Sequence, residues 1–144
     1  MNKLALMSVF AAAGVVAAGP VLAQSCPSGT NRVSNVQQLL GGNTLCAARA
    51  PDRWKEFHSG GPASGPLIAY KLGPGHPMDP TETVGTWSAV NGSNSSVTHN
   101  YSGGSSFTWL VCQGAASSAI LLVSVASAGT VNNAQVLAGQ VDCP

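Results

Sequence analysis

The stretch TVGTWSAVNGSNSSVTHNYSGGSSFTWLVC, residues 83–112, decides the fold class. It contains three runs of β-favouring residues cut by two polar turn clusters. In the middle run Val97, His99 and Tyr101 alternate, and in the last run Phe107, Trp109 and Val111 do the same. A period of two puts such residues on one face of a pleated strand. Asn91-Gly92-Ser93-Asn94 reads as a hairpin turn, since Asn-Gly accepts the positive φ of a type I′ turn. Ser102-Gly103-Gly104-Ser105 reads as a second turn. Three strands joined this tightly form an antiparallel meander.

The same rhythm extends in both directions. Strands are predicted over 44–49, 52–58, 67–72, 83–90, 96–101, 106–112, 119–126 and, less regularly, 136–143. Residues 59–66 read as a Gly/Pro/Ser loop. Residues 73–80 cannot be regular, because three prolines remove backbone donors and fix φ. Val33, Val36, Gln37 and Leu40 fit one short helix, with Ser34 or Asn35 as N-cap and Gly41-Gly42 as its stop. A meander of seven or eight strands must hide its edges by closing into a barrel or folding into a sandwich. The expectation is an all-β domain: an antiparallel meander closed as a small β-barrel, with a β-sandwich as the alternative, and a short N-terminal helix. The apolar run 119–126 is expected to be a central strand buried on both faces.

Ahead of this domain lies a leader. Lys3 supplies a positive start, residues 4–18 are apolar and uncharged, Gly19-Pro20 break the run, and Val21-Leu22-Ala23 has small side chains where a signal peptidase needs them. Residues 1–23 therefore read as a cleaved signal peptide and 24–144 as one domain. The apolar run is shorter than the roughly 20 residues that cross a bilayer. Residues 24–144 carry five basic and five acidic side chains, so they are neutral overall. That leaves no electrostatic footprint for nucleic acid. No Asp, Glu, Lys or Arg lies between Glu82 and Asp142.

All four cysteines, Cys26, Cys46, Cys112 and Cys143, lie in the exported part and read as two disulfides. Three pairings are open. Cys26–Cys46 with Cys112–Cys143 is the favoured one, because each bond would tie a chain end to the body. Loops of that size contribute about 3 kcal/mol each in the chain-entropy picture.

Chemistry-bearing residues are few. Trp54, Glu56 and His58 alternate along one predicted strand, and His99 lies on another. A carboxylate and imidazoles on one face suit acid–base work or metal ligation. The plainer and favoured reading is a half-exposed strand with Trp54 packed inward and polar neighbours outside. If the three face an interior instead, they become a ligand-binding cluster. His76 and Asp79, in the proline loop, form a weaker candidate pair. Tyr101, Phe107 and Trp109 are expected to pair across strands as core. No nucleophile elbow, HExxH, phosphate loop or dinucleotide fingerprint is present, and no cofactor or resident metal is expected.

Gly85-Thr86-Trp87, opening a strand, resembles the G-x-W signature of the lipocalin and avidin type of small β-barrel. The resemblance covers that tripeptide and the meander after it. It implies a secreted barrel holding a ligand in its mouth, with Trp87 as the plug at one barrel end. In those families the motif sits on the first strand. Here only 57 residues follow Trp87, so earlier strands would have to complete the closure.

The expected function is a secreted or periplasmic binding protein for a small apolar ligand, a glycan or a surface protein. Its candidate ligand-binding residues are Trp54, Glu56, His58, Trp87, His99, Tyr101 and Trp109. The alternative is a self-assembling structural protein of the cell surface, suggested by the charge-free half. A third reading is a metal-dependent or acid–base enzyme using Glu56, His58 and His99.

Overall fold

A computed structural model describes residues 24–72, 82–115, 118–127 and 129–144. The predicted leader and the His76–Asp79 loop lie outside these residues. In chain order the elements are β1 (Thr30–Arg32), α1 (Val36–Leu40), β2 (Asn43–Arg49), β3 (Asp52–His58), β4 (Ser64–Leu72), β5 (Glu82–Val90), β6 (Ser96–Tyr101), β7 (Ser106–Gly114), β8 (Ile120–Ser124) and β9 (Thr130–Ala138).

Each strand from β2 to β9 pairs antiparallel with the next, and β9 returns to β2, matching Cys46 to Gln135. This is an eight-stranded closed barrel. The three strands before the Trp87 strand complete it. The ninth strand, β1, extends the pairing of β7 beyond the end of β6. β6 matches Ser106 to Trp109 of β7, and β1 matches Cys112 to Gly114. Closure leaves the charge-poor strands no long free edge on which another chain could pair.

Alternation along each strand fills the inside. Leu45, Leu67, Trp87, Val97, Val111, Ile120, Leu122, Val131 and Ala134 are buried there. Val36 and Leu40 of α1 join the same cluster and plug one end. At five residues, α1 is too short to be stable alone, so packing and borrowed hydrogen bonds hold it. Asn35 sits at the N-cap but makes no side-chain capping bond. Asn91 does that work: the Gln37 backbone N–H donates to Asn91 Oδ1 at 2.9 Å, and Asn91 Nδ2 donates to Gln37 Oε1 at 3.1 Å.

This explains a departure from the predicted turn. β5 and β6 are adjacent, but residues 91–95 join them as a longer loop. Gly92 takes φ 98°, while Asn91 does not take a positive φ. The residue that signalled a two-residue turn instead ties the loop to α1.

Other boundaries also shift. β4 starts at Ser64, inside the predicted loop, because Pro66 accepts from the Ser59 N–H at 3.1 Å and its missing donor is tolerated. β9 begins six residues before the predicted strand and ends before Cys143. Asn133, at φ 57°, lies beside the register shift between β8 and β9, where a bulge absorbs it. The run 119–126 is not buried on both faces. Ile120, Leu122 and Ser124 point inward, Leu121 and Val123 are half-buried outside, and Val125 is exposed.

The favoured cysteine pairing is overturned. The disulfides join Cys26 to Cys112 and Cys46 to Cys143. Barrel closure is the reason. It brings the C-terminal tail alongside β2, where Cys46 sits, while the β1–β7 pairing lays the N-terminal segment over Cys112. Each bond thus closes a much longer loop, 86 and 97 residues, than proximity in sequence suggested. Two such bonds fit an oxidising environment. Among the described residues, no helix is long and apolar enough to cross a membrane.

Candidate functional site

The barrel end opposite α1 opens into a cavity of about 310 Å³. Its position follows from register. Trp54 and Glu56 come inward from β3, His99 and Tyr101 from β6, and Phe107 and Trp109 from β7. β3 and β7 are four strands apart in an eight-stranded ring, so Trp54 and Trp109 face one another across the mouth. Leu122 and Val131 add apolar wall, Ser124 and Ser127 add hydroxyls, and the exposed Arg49 stands at the rim.

The aromatic wall is ordered. Tyr101 and Phe107 meet edge-to-face at 5.9 Å, and Phe107 and Trp109 stack at 6.2 Å. The expectation that these three form closed core is corrected here. Phe107 is 45% exposed, and Tyr101 and Trp109 are half-buried. They line an opening because β6 and β7 end at the mouth, where no helix covers them.

The reading of β3 as a half-exposed strand with its polar side chains outside is also overturned. Glu56 and His58 are 3% and 0% exposed. Closure puts their face inside. There they join a single chain of polar contacts. The Tyr101 hydroxyl donates a short hydrogen bond to Glu56 Oε1. Glu56 Oε2 lies 3.3 Å from His99 Nδ1, and His99 Nε2 lies 3.0 Å from His58 Nε2. His58 meets Trp87 edge-to-face at 5.1 Å, and the Trp87 indole donates to the Ser59 carbonyl at 2.8 Å.

Burial controls the protonation of this chain. It raises the Glu56 carboxyl from 4.5 to about 7, against the opposing pull of the Tyr101 hydroxyl. It lowers His99 from 6.5 to about 4. Burial, and next the neighbouring His99, lower His58 to about 3, with the backbone of Asn43 and Glu56 pulling weakly back. Burial, then the Glu56 charge, raise the Tyr101 hydroxyl well above its ordinary value. Both imidazoles are therefore neutral at pH 7, with one N–H each.

Hydrogen-bond logic then assigns the protons when Glu56 is ionised. His99 Nδ1–H donates to the carboxylate, His58 Nε2–H donates to His99 Nε2, and His58 Nδ1 is left a bare lone pair. That atom is buried and makes no well-formed hydrogen bond, although the backbone groups that bias the ring lie near it. When Glu56 is protonated the chain reverses: its O–H donates to His99 Nδ1, His99 Nε2–H donates to His58 Nε2, and the His58 Nδ1–H faces the backbone.

Among the described residues, no group of three His, Cys, Asp or Glu side chains is placed to hold a metal ion. Glu56, His99 and His58 are strung in a line and satisfy one another, rather than converging on one point. Of the predicted site residues, Trp54, Glu56, His99, Tyr101 and Trp109 line the cavity. His58 lies beneath it, and Trp87 is buried near the plugged end. Arg49 was missed, although its alternation with Leu45 and Ala47 places it on the inward face of β2. Leu122 and Val131 were missed because only barrel closure brings β8 and β9 round to the site. No protein-family model, curated protein or solved structure matches the chain.

Proposed function

We propose that this is a secreted or periplasmic binding protein that takes a small, largely apolar molecule into the open end of its barrel. The observation that carries this reading is the cavity between Trp54 and Trp109. Three further apolar side chains, Phe107, Leu122 and Val131, line it, and it is open to solvent opposite the α1 plug. Small-molecule sites are typically concave, mostly apolar and furnished with a few buried polar groups, and barrel mouths are a common place for them. Glu56, His99 and Tyr101 supply those groups here. The signal-peptide-like leader and the two disulfides support export. The G-x-W tripeptide supports a lipocalin- or avidin-like way of working, with the ligand at one end and Trp87 packed towards the other.

Self-assembly through strand edges ranks below this reading, because closure leaves few edges to pair. The test is a fluorescence titration with an uncharged naphthyl probe such as N-phenyl-1-naphthylamine. Saturable binding that is lost in Trp109→Ala, with the fold intact by circular dichroism, is expected. Absence of saturable binding by any small aromatic probe would overturn the reading.

A further inference from the structure

Glu56 poses an unusual electrostatic problem. Among the described residues it is the one acidic side chain lining the cavity, and it is 3% exposed. Among the described residues it has no lysine or arginine partner. Its contacts are a hydroxyl, from Tyr101, and an imidazole, from His99. Both imidazoles are neutral near pH 7. An ionised carboxylate held this way is solvated by two donors that carry no charge, which is a costly state in a low-dielectric interior. Its other described neighbours carry no countercharge in contact with it. Ala69 faces Glu56 from β4, and His58 lies on the far side of His99. Arg49 is exposed at the rim, and in the β3–β4 ladder Lys71 is the register partner of Trp54, one inward-facing pair nearer the opening than Glu56 and Ala69. The walls above the carboxylate are the rings of Trp54, Tyr101, Phe107 and Trp109. Such faces attract cations as well as apolar groups.

Resting on the proposed role as a small-molecule binder, we infer that the ligand is an apolar or aromatic molecule bearing a cationic nitrogen. It enters with that nitrogen at Glu56 and its ring between Trp54 and Trp109. The cation supplies the missing countercharge, and the Tyr101 and His99 donors keep the carboxylate oriented towards it. Binding therefore requires the ionised carboxyl. Since Glu56 titrates near pH 7, affinity for a cation falls by about 30-fold between pH 8 and pH 5.5. A neutral ligand shows no such dependence.

The experiment compares 2-phenylethylammonium with 2-phenylethanol, which matches it in size but is uncharged, on the wild-type protein by isothermal titration calorimetry at pH 8 and pH 5.5. At pH 8 the ammonium should bind at least about tenfold more tightly, the scale of a charge-assisted hydrogen bond to a buried group. It should lose that advantage at pH 5.5 and in Glu56→Gln. Equal affinity for the two compounds at pH 8 overturns the inference. So does a cation preference that Glu56→Gln leaves intact. If the naphthyl probe binds but the ammonium does not, the inference fails and the binding role survives. If neither binds, both fall. Should Glu56→Gln fail to fold, the pH series on the wild-type protein decides.

Discussion

The Glu56→Gln substitution makes the buried chain visible in stability alone, with no ligand present. A histidine whose folded pKa lies below its unfolded value leaves stability untouched well above pH 6.5. It costs stability below that, because the unfolded chain takes up a proton that the fold refuses. His58 and His99, at about 3 and 4 in the fold, both behave this way. A carboxyl raised by folding works in the opposite sense. Glu56, at about 7 in the fold against 4.5, contributes stability that is fully present below pH 4.5 and is lost as pH rises through 7.

Each group is worth about 1.4 kcal/mol per pH unit inside its window. Between pH 7.5 and pH 4.5 the two histidines together cost about 5 kcal/mol, and Glu56 returns about 3. The wild-type protein should lose about 2 kcal/mol from these groups, and the Glu56→Gln protein about 5. Other ionisable groups cancel in the comparison. Urea unfolding of both proteins at the two pH values, with disulfides intact and salt fixed, measures the difference. If both lose the same stability to within about 1 kcal/mol, Glu56 is not the buried, burial-raised acid described above.

Three further outcomes follow from the fold. Non-reducing peptide mapping should recover Cys26–Cys112 and Cys46–Cys143, and Cys46→Ser with Cys143→Ser should cost about 4.5 kcal/mol in the chain-entropy picture; a Cys26–Cys46 peptide would contradict the way the barrel closes. Leu40→Ala should destabilise by about 2–5 kcal/mol in urea, since it empties the plug at the closed end, and a loss well under 1 kcal/mol would mean α1 does not seal the barrel. Gly85→Ala should cost about 2 kcal/mol or more, read as a lowered unfolding midpoint, because a Cβ there would overlap the Asn100 carbonyl where β5 and β6 approach closely; an unchanged midpoint would refute that close approach.

Local pattern carried much of this architecture. β3 and β6 fall where alternation places them, and Gly41-Gly42 does end the helix. The barrel rather than the sandwich follows from the same meander once β9 meets β2. What alternation could not supply is which face of each strand is the inside. Trp54, Glu56 and His58 looked amphipathic in the ordinary way, and polar residues on one face usually mean solvent. Here the polar face is the interior, and the compensation for burying it comes from β6, three strands away in the barrel, invisible until closure brings His99 and Tyr101 within reach.

The cysteine pairing failed for a related reason. Sequence proximity favours short loops, whereas closure sets contacts between the first and last barrel strands. The β1 strand, three residues long, carries too little pattern to be read at all. Asn91 misled because its side chain, not its backbone freedom, is what the fold uses.

The central claim is that the open end, and not the plugged end, receives a small molecule. The chain has three tryptophans, and each reports a different place. Trp54 and Trp109 face the mouth, while the Trp87 indole is buried and bonded to Ser59. Nitrogen-15 NMR of the indole N–H signals during titration with the uncharged naphthyl probe reads all three at once. The Trp54 and Trp109 signals should move together and saturate while Trp87 stays in place. Movement of Trp87 alone, or of none of the three at saturating probe, would contradict the account.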